Sequence, residues 1–251
     1  MKYELNSLIG QITEADCEEV LAQLPDKCVD LVLTDPPYGI GADKAARTAA
    51  LQRIAANGKT KAGRGWALYD ETDWDSAPPS ANTFKEIRRV SKNQIVWGGN
   101  YFTEHLPPSM GWFFWDKGQR DFSLADGELA WSSFNRALRV FSYSRAAALQ
   151  EGKCHPTQKP VPLFNWLLSL VTKEGDIILD PYSGSGTTAL ACHAMHRRFI
   201  CIEREHKYVE KSRNRLRDAQ AQLSLFGPAK TEHYGSAENS IQQPQLEMRL
   251  E

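Results

Sequence analysis

"DIILDPYSGSGTTALACHAMHRRFICIE", residues 176–203, reads as a strand, a turn, a helix and a second strand. Both apolar runs are short and rich in isoleucine, and each ends in an acid, Asp180 and Glu203. A strand that returns to the sheet through a helix lies parallel to its predecessor. This segment therefore predicts an α/β fold rather than an all-β one. Gly184 and Gly186 allow the backbone to turn tightly and to approach a ligand, and the helix that follows aims its free amides at the same point. No G-K-[ST] follows "GSGTT", so it is not a phosphate loop, and it is not a full G-x-G-x-x-G. Read alone, the turn fits either a cofactor loop or a plain tight turn. Glu203 stands where a doubly wound nucleotide fold places the acid that takes two ribose hydroxyls. The plainer alternative is an exposed strand-end acid paired with Arg204.

Working outward, "LVLTDPPYGI" (31–40) also runs an apolar strand into an acid, Asp35. Proline fixes its own φ and restricts the residue before it, so Asp35, Pro36, Pro37 and Tyr38 form a stiff, extended corner. A rigid turn explains the prolines. It does not explain an acid and an aromatic at the end of a strand where open sheets bind ligands. Further strands are expected over 28–35, 94–99, 111–116, 128–134, 139–144, 176–180 and 198–203, and helices over 16–24, 79–91, 161–172, 185–196 and 204–224. Fully apolar strands alternating with helices predict a mostly parallel sheet covered on both faces. The 94–144 block, with more strands and aromatics, suits an antiparallel part or a small subdomain.

The chain has 251 residues, enough for one large α/β domain, and a net charge of −1. A surface for nucleic acid would therefore have to be local. Residues 41–69 supply one candidate, with Lys44, Arg47, Arg53, Lys59, Lys61 and Arg64 against Asp43 alone. A solvated surface loop is the competing reading. The stretches "WDKGQRDFS" (115–123), with Lys117 and Arg120, and "SSFNRALR" (132–139) mix cations and aromatics and are weaker candidates for reading bases. The 5 cysteines form no C-x-x-C pair and read as reduced thiols. No apolar run reaches membrane-spanning length and no leader peptide is evident, so a cytoplasmic protein with no membrane partner is expected. Residues 225–251 are polar and aperiodic and are expected to form a flexible tail. His193 and His196 in "CHAMH" read as ordinary helix histidines, and no metal site is expected.

"HPTQKPVPLFNWLLSLV" (155–171) sets a proline-bounded polar knot before an apolar helix. Thr157 is placed to cap that helix and Lys159 to meet a carboxylate near its start, but spacing alone does not distinguish this from a plain helix start.

Taken in order, "DPPY", "HPTQKP" and "DPYSGSGTT…FICIERE" resemble the β class of S-adenosylmethionine-dependent DNA amino-methyltransferases, in which the catalytic motif precedes the cofactor motif. The resemblance extends into "ADCEEVLAQLPDKCVDLVLTDPPYGI", "EIRRVSKNQIVWGGNYF" and "ELAWSSFN", covering roughly residues 10 to 215. It implies a Rossmann-like, mixed, mostly parallel seven-stranded sheet with helices on both faces. It further implies a single catalytic domain over 1–224 with a small DNA-recognition region near 100–150. The implied cofactor is S-adenosyl-L-methionine. Asp180, Pro181, Tyr182, Ser183, Gly184, Ser185, Gly186 and Thr187 would surround its methionine part, with Glu203 at the ribose and Asp16 and Cys17 near the adenine. His155, Thr157 and Lys159 would close over the methionine end beside Asp35. The implied substrate is an adenine flipped out of double-stranded DNA, with N4 of cytosine as the rival target and a silent DNA-recognition subunit as the non-enzymatic alternative. Within the resemblance, an Asp before "PPY" leans to adenine and a Ser to cytosine. A homodimer and a cognate restriction endonuclease that is not physically bound are compatible partners.

Overall fold

The computed structural model describes residues 2–41, 75–120, 125–150 and 158–226. All of the basic segment 41–69 except Gly41, together with His155, Thr157 and the tail beyond 226, lies outside the described residues. Eight strands form one sheet: β1 (Gln11–Glu14), β2 (Val29–Thr34), β3 (Ser91–Trp97), β4 (Trp112–Asp116), β5 (Gly127–Ser132), β6 (Arg139–Ser142), β7 (Ile177–Asp180) and β8 (Arg198–Glu203). Their order is β1-β8-β7-β2-β3-β5-β4-β6. The first five run parallel, β5 is antiparallel to β3 and β4, and β4 and β6 are parallel. The sheet thus has one strand more than expected. All seven strands read from the sequence are present, and β1, "QITE", joins them along β8.

Helices cover both faces because alternate strand residues point to opposite sides. Leu31, Leu33, Ile95, Trp97, Ile178 and Cys201 face a core closed by helices α5 (Val161–Val171), α6 (Thr187–Ala194) and α7 (His206–Phe226). Val32, Leu179, Ile200 and Ile202 face the other core, beneath α1 (Leu5–Leu8), α2 (Cys17–Leu21) and α3 (Ala81–Val90). A further short helix, α4 (Arg145–Gln150), follows β6. Double-sided burial is what lets β2 and β7 be apolar almost throughout.

The topology also positions the site. From β7 the chain crosses through α6 to β8 on one side, whereas β2 leads to β3 on the other. The neighbouring pair β2 and β7 is therefore the switch point of the sheet, and a crevice opens beyond their carboxyl ends. Asp35 and Asp180 sit at those two ends.

Candidate active site

Asp180 is turned inward. It accepts hydrogen bonds from the Thr34 hydroxyl at 2.8 Å, the Thr188 hydroxyl at 2.5 Å and the Tyr182 amide at 3.1 Å. These bonds tie β7 to β2 and to the first turn of α6. Burial pushes its carboxyl up to about 6, against the pull of its three donors. Gly184 and Gly186 both take positive φ, and a Cβ on Gly186 would lie 2.7 Å from Ser212 of α7. Only glycine allows the turn and the helix to pack this closely.

Asp35 faces outward into the crevice. One carboxylate oxygen accepts from the Tyr38 hydroxyl at 2.7 Å and the other from the Lys159 ammonium at 2.5 Å. Burial raises its pKa, and Lys159 partly offsets that effect. The corner is pinned from behind by buried Asp75, which accepts from the Tyr38 and Gly39 amides at 2.7 and 2.9 Å. The Tyr38 ring stacks on Tyr101 with centroids 4.7 Å apart and meets Phe102 edge-on. It fits there because residue 98 is glycine, where a Cβ would lie 2.2 Å from the ring.

Two cavities meet at Asp35. The larger, about 280 Å³, is lined by Asp16, Cys17, Asp35, Pro37, Pro181, Tyr182 and Glu203, among others. The smaller, about 40 Å³, adds Lys159, Asp180, Ser183, Gly184, Ser185 and Thr187. Glu203 bridges elements rather than pairing with Arg204, since its two oxygens accept from the Gly184 amide at 2.9 Å and the Glu205 amide at 2.8 Å. Each oxygen keeps a lone pair for a further donor. Asp16 caps α2 through the Glu18 amide, and burial holds the Cys17 thiol protonated, pushed up to about 11. The buried Ser183 hydroxyl has no hydrogen-bond partner among the described residues. Such an orphan is expected where a bound polar group completes the site.

Lys159 lies where the sequence places it, against a carboxylate, yet it does not start α5 alone. The N-cap is Pro160, without a side-chain bond, and Thr157, expected to cap this helix, lies outside the described residues. Lys117 points inward to Glu128 at 2.6 Å and is mostly buried, rather than standing free for phosphate. Arg120 is exposed and clamps Asp116, whose carboxyl it holds down to about 2. Sequence reasoning missed Asp75, Tyr101 and Glu128. Of these, Glu128 carried a signal: it is the one acid in the strand "GELAWS".

A family model described as DNA methylase, of the N6/N4 type, matches residues 96–214, from the end of β3 to the middle of α7. The Type II methyltransferase M.HinfI of Haemophilus influenzae is 27% identical over 270 residues, covering 87% of this chain and 71% of that one. Over these residues the chain is similar to the DNA methylases of the N6/N4 type. M2.DpnII of Streptococcus pneumoniae, also a Type II methyltransferase, is 25% identical over 260 residues, covering 85% of this chain and 91% of its own. Among solved structures, M1.HpyAVI in complex with S-adenosylmethionine superposes with a TM-score of 0.51 at 22% identity, over 82% of this chain and 98% of that one. The cytosine-N4-specific PvuII DNA methyltransferase does so at 0.52 and 15%, over 85% and 92%. At these identities the structural likeness is one of fold, and it is the class I methyltransferase fold of a mostly parallel, helix-covered sheet. Both cavities at the switch point reach Asp35, and the larger extends to Glu203.

Proposed function

We propose that this protein is a DNA methyltransferase that transfers a methyl group from S-adenosyl-L-methionine to N6 of an adenine flipped out of double-stranded DNA. The observation that carries the reading is the ammonium already seated on Asp35 at 2.5 Å, because a carboxylate that accepts N–H donors at a switch point suits an exocyclic amine. Asp heading the "DPPY" corner favours adenine over cytosine.

The residues present fit the cofactor. Glu203 retains lone pairs for ribose hydroxyls, Asp16 and Cys17 line the far end of the larger cavity for the adenine, and Ser183 offers an unpaired hydroxyl beside the glycine turn. When bound, the cofactor supplies an electrophilic methyl on a positively charged sulfur. The protein's contribution is to present the amine. An exocyclic amine is a poor nucleophile because its lone pair is delocalised into the ring. Asp35 takes one N–H and the Pro36 carbonyl the other, which bends the nitrogen toward tetrahedral geometry and localises the pair. Tyr38, held by Asp75 and Gly98, presents its ring to the base. Asp35, or water beside it, would take the surplus proton of the methylated amine. Holding the amine at Asp35, beside the cavity that would take the cofactor, would supply much of the acceleration through proximity.

Base flipping requires the backbone to be held, and Lys44, Arg47, Arg53, Lys59, Lys61 and Arg64 follow the corner directly in sequence, as a phosphate-binding segment would. Arg120 and the β4–β6 edge are assigned to base reading. Nucleoside mass spectrometry of DNA treated with protein and cofactor tests the choice of base. N6-methyladenine is expected, and N4-methylcytosine without it overturns the assignment.

A further inference from the structure

Behind Asp35 runs a chain of charges that the transfer reaction as described does not use. The Lys159 ammonium lies 2.5 Å from Asp35 and 2.9 Å from Glu128, and Glu128 in turn lies 2.6 Å from Lys117. Side-chain exposure falls to 4% at Lys159, so the cation is nearly withdrawn from water while sharing two anions. Its third near neighbour is the Tyr38 hydroxyl at 3.4 Å, and the rings of Trp97 and Tyr38 flank it at 5.5 and 5.8 Å. The Lys159 carbonyl accepts from Thr187 at the start of α6, which fixes the backbone and leaves the side chain to pivot.

An N–H-bearing cation on Asp35 occupies the place the target amine needs. It also opposes methylation, because the amine becomes cationic as it receives the methyl group, and two like charges at one carboxylate repel. The ammonium must therefore leave Asp35, yet releasing a buried cation without a partner is costly. Glu128 already touches it from the other side.

We propose that Glu128 is a positioning residue that receives the Lys159 ammonium when the target amine takes Lys159's place on Asp35. Lys159 thus stands in for the amine until DNA arrives, and its charge favours the ionised form of Asp35 against the burial of the corner. Lys117, stacked over Trp115 at 5.1 Å, meets the other carboxylate oxygen of Glu128 and keeps it anionic. The electrostatics agree: burial opposes both charges, but the two carboxylates hold the Lys159 ammonium above its usual range, and the two lysines draw Glu128 down to about 2. The groups facing Lys159 are Asp35, Glu128 and Tyr38, with Asp180 lining the same small cavity.

The inference rests on the reading of Asp35 as acceptor of the amine. It is tested by single-turnover methyl transfer on saturating DNA, across pH, with full-length wild type and Glu128→Gln. At neutral pH the variant is expected to be slower by about tenfold or more, with cofactor affinity unchanged within about threefold. The deficit should narrow as pH rises, because Lys159 facing a single carboxylate loses its proton more readily and then frees Asp35. A rate matching wild type, or a deficit that stays constant with pH, overturns the proposal. A second measurement needs no variant. In crystals of the wild type with duplex and the demethylated cofactor product, Lys159 is expected on Glu128 and out of reach of Asp35, and an ammonium still on Asp35 overturns it. A wild type that methylates no DNA amine would instead sink the underlying reading of the site.

Discussion

Three acids end three neighbouring strands, and their surroundings give them three different tasks. Asp180 spends its lone pairs on Thr34, Thr188 and Tyr182, Glu203 gathers two backbone amides, and Asp35 alone of the three meets an ammonium. Because the Asp180 carboxyl is raised from 3.8 to about 6, its protonated form is favoured in the folded protein. Its contribution to stability is full below the unfolded value and is lost as pH rises through about 6. Urea unfolding at acidic and neutral pH should show wild type losing roughly 3 kcal/mol relative to Asp180→Asn over that window. A gap that does not change with pH would mean that the three donors already stabilise the ionised form. Glu203→Gln should weaken cofactor binding by about tenfold or more while leaving the rate at saturating cofactor within about threefold, because it loosens the glycine turn and not the amine's acceptor. Titration calorimetry and single-turnover kinetics separate the two effects. The order of these acids was legible in the sequence, since each follows an apolar run. Their different roles were not, because hydrogen-bond partners come from segments remote in the chain.

At the scale of elements, the corner works because other segments hold it. Asp75 reaches it from far along the chain, and the 98–102 turn supplies the gap at Gly98 and the Tyr101 ring. Gly98→Ala combines a positive φ with a Cβ 2.2 Å from Tyr38. It should cost about 1–3 kcal/mol in thermal stability and lower methyl transfer more than cofactor affinity. Equal loss of both would point to general unfolding of the crevice. Seven strands were readable because β-branched and aromatic runs announce buried strands. Gln11–Glu14 was not, being four residues long with only Ile12 buried, and it is a strand because β8 offers it an edge. Glu128 escaped notice for a related reason. Its value lies in Lys159 and Lys117, which the fold, and not the spacing, brings to it.

Across the whole molecule, one sheet divides two helical cores and opens its crevice where β2 and β7 part company. Leu167, fully buried on α5, packs in the core that supports Lys159 and the end of β7. Leu167→Ala should destabilise the fold by about 2–5 kcal/mol in urea unfolding, and a change under about 1 kcal/mol would deny that this core is tightly packed. Among the described residues, no helix is long and apolar enough to cross a membrane. The sequence already carried the order of motifs that underlies the resemblance to the N6/N4 DNA methylases, because "DPPY" and "DPYSGSG" keep their local chemistry whatever surrounds them. The charge of the basic segment after the corner is the ground on which we propose that it binds DNA. The most direct measurement compares methyl incorporation into DNA by wild type and Asp35→Ala, with cofactor affinity recorded for both. Incorporation should fall by about a hundredfold or more while affinity changes by no more than about threefold. Near-normal incorporation with a weakened cofactor would contradict the placement of the reaction at this corner.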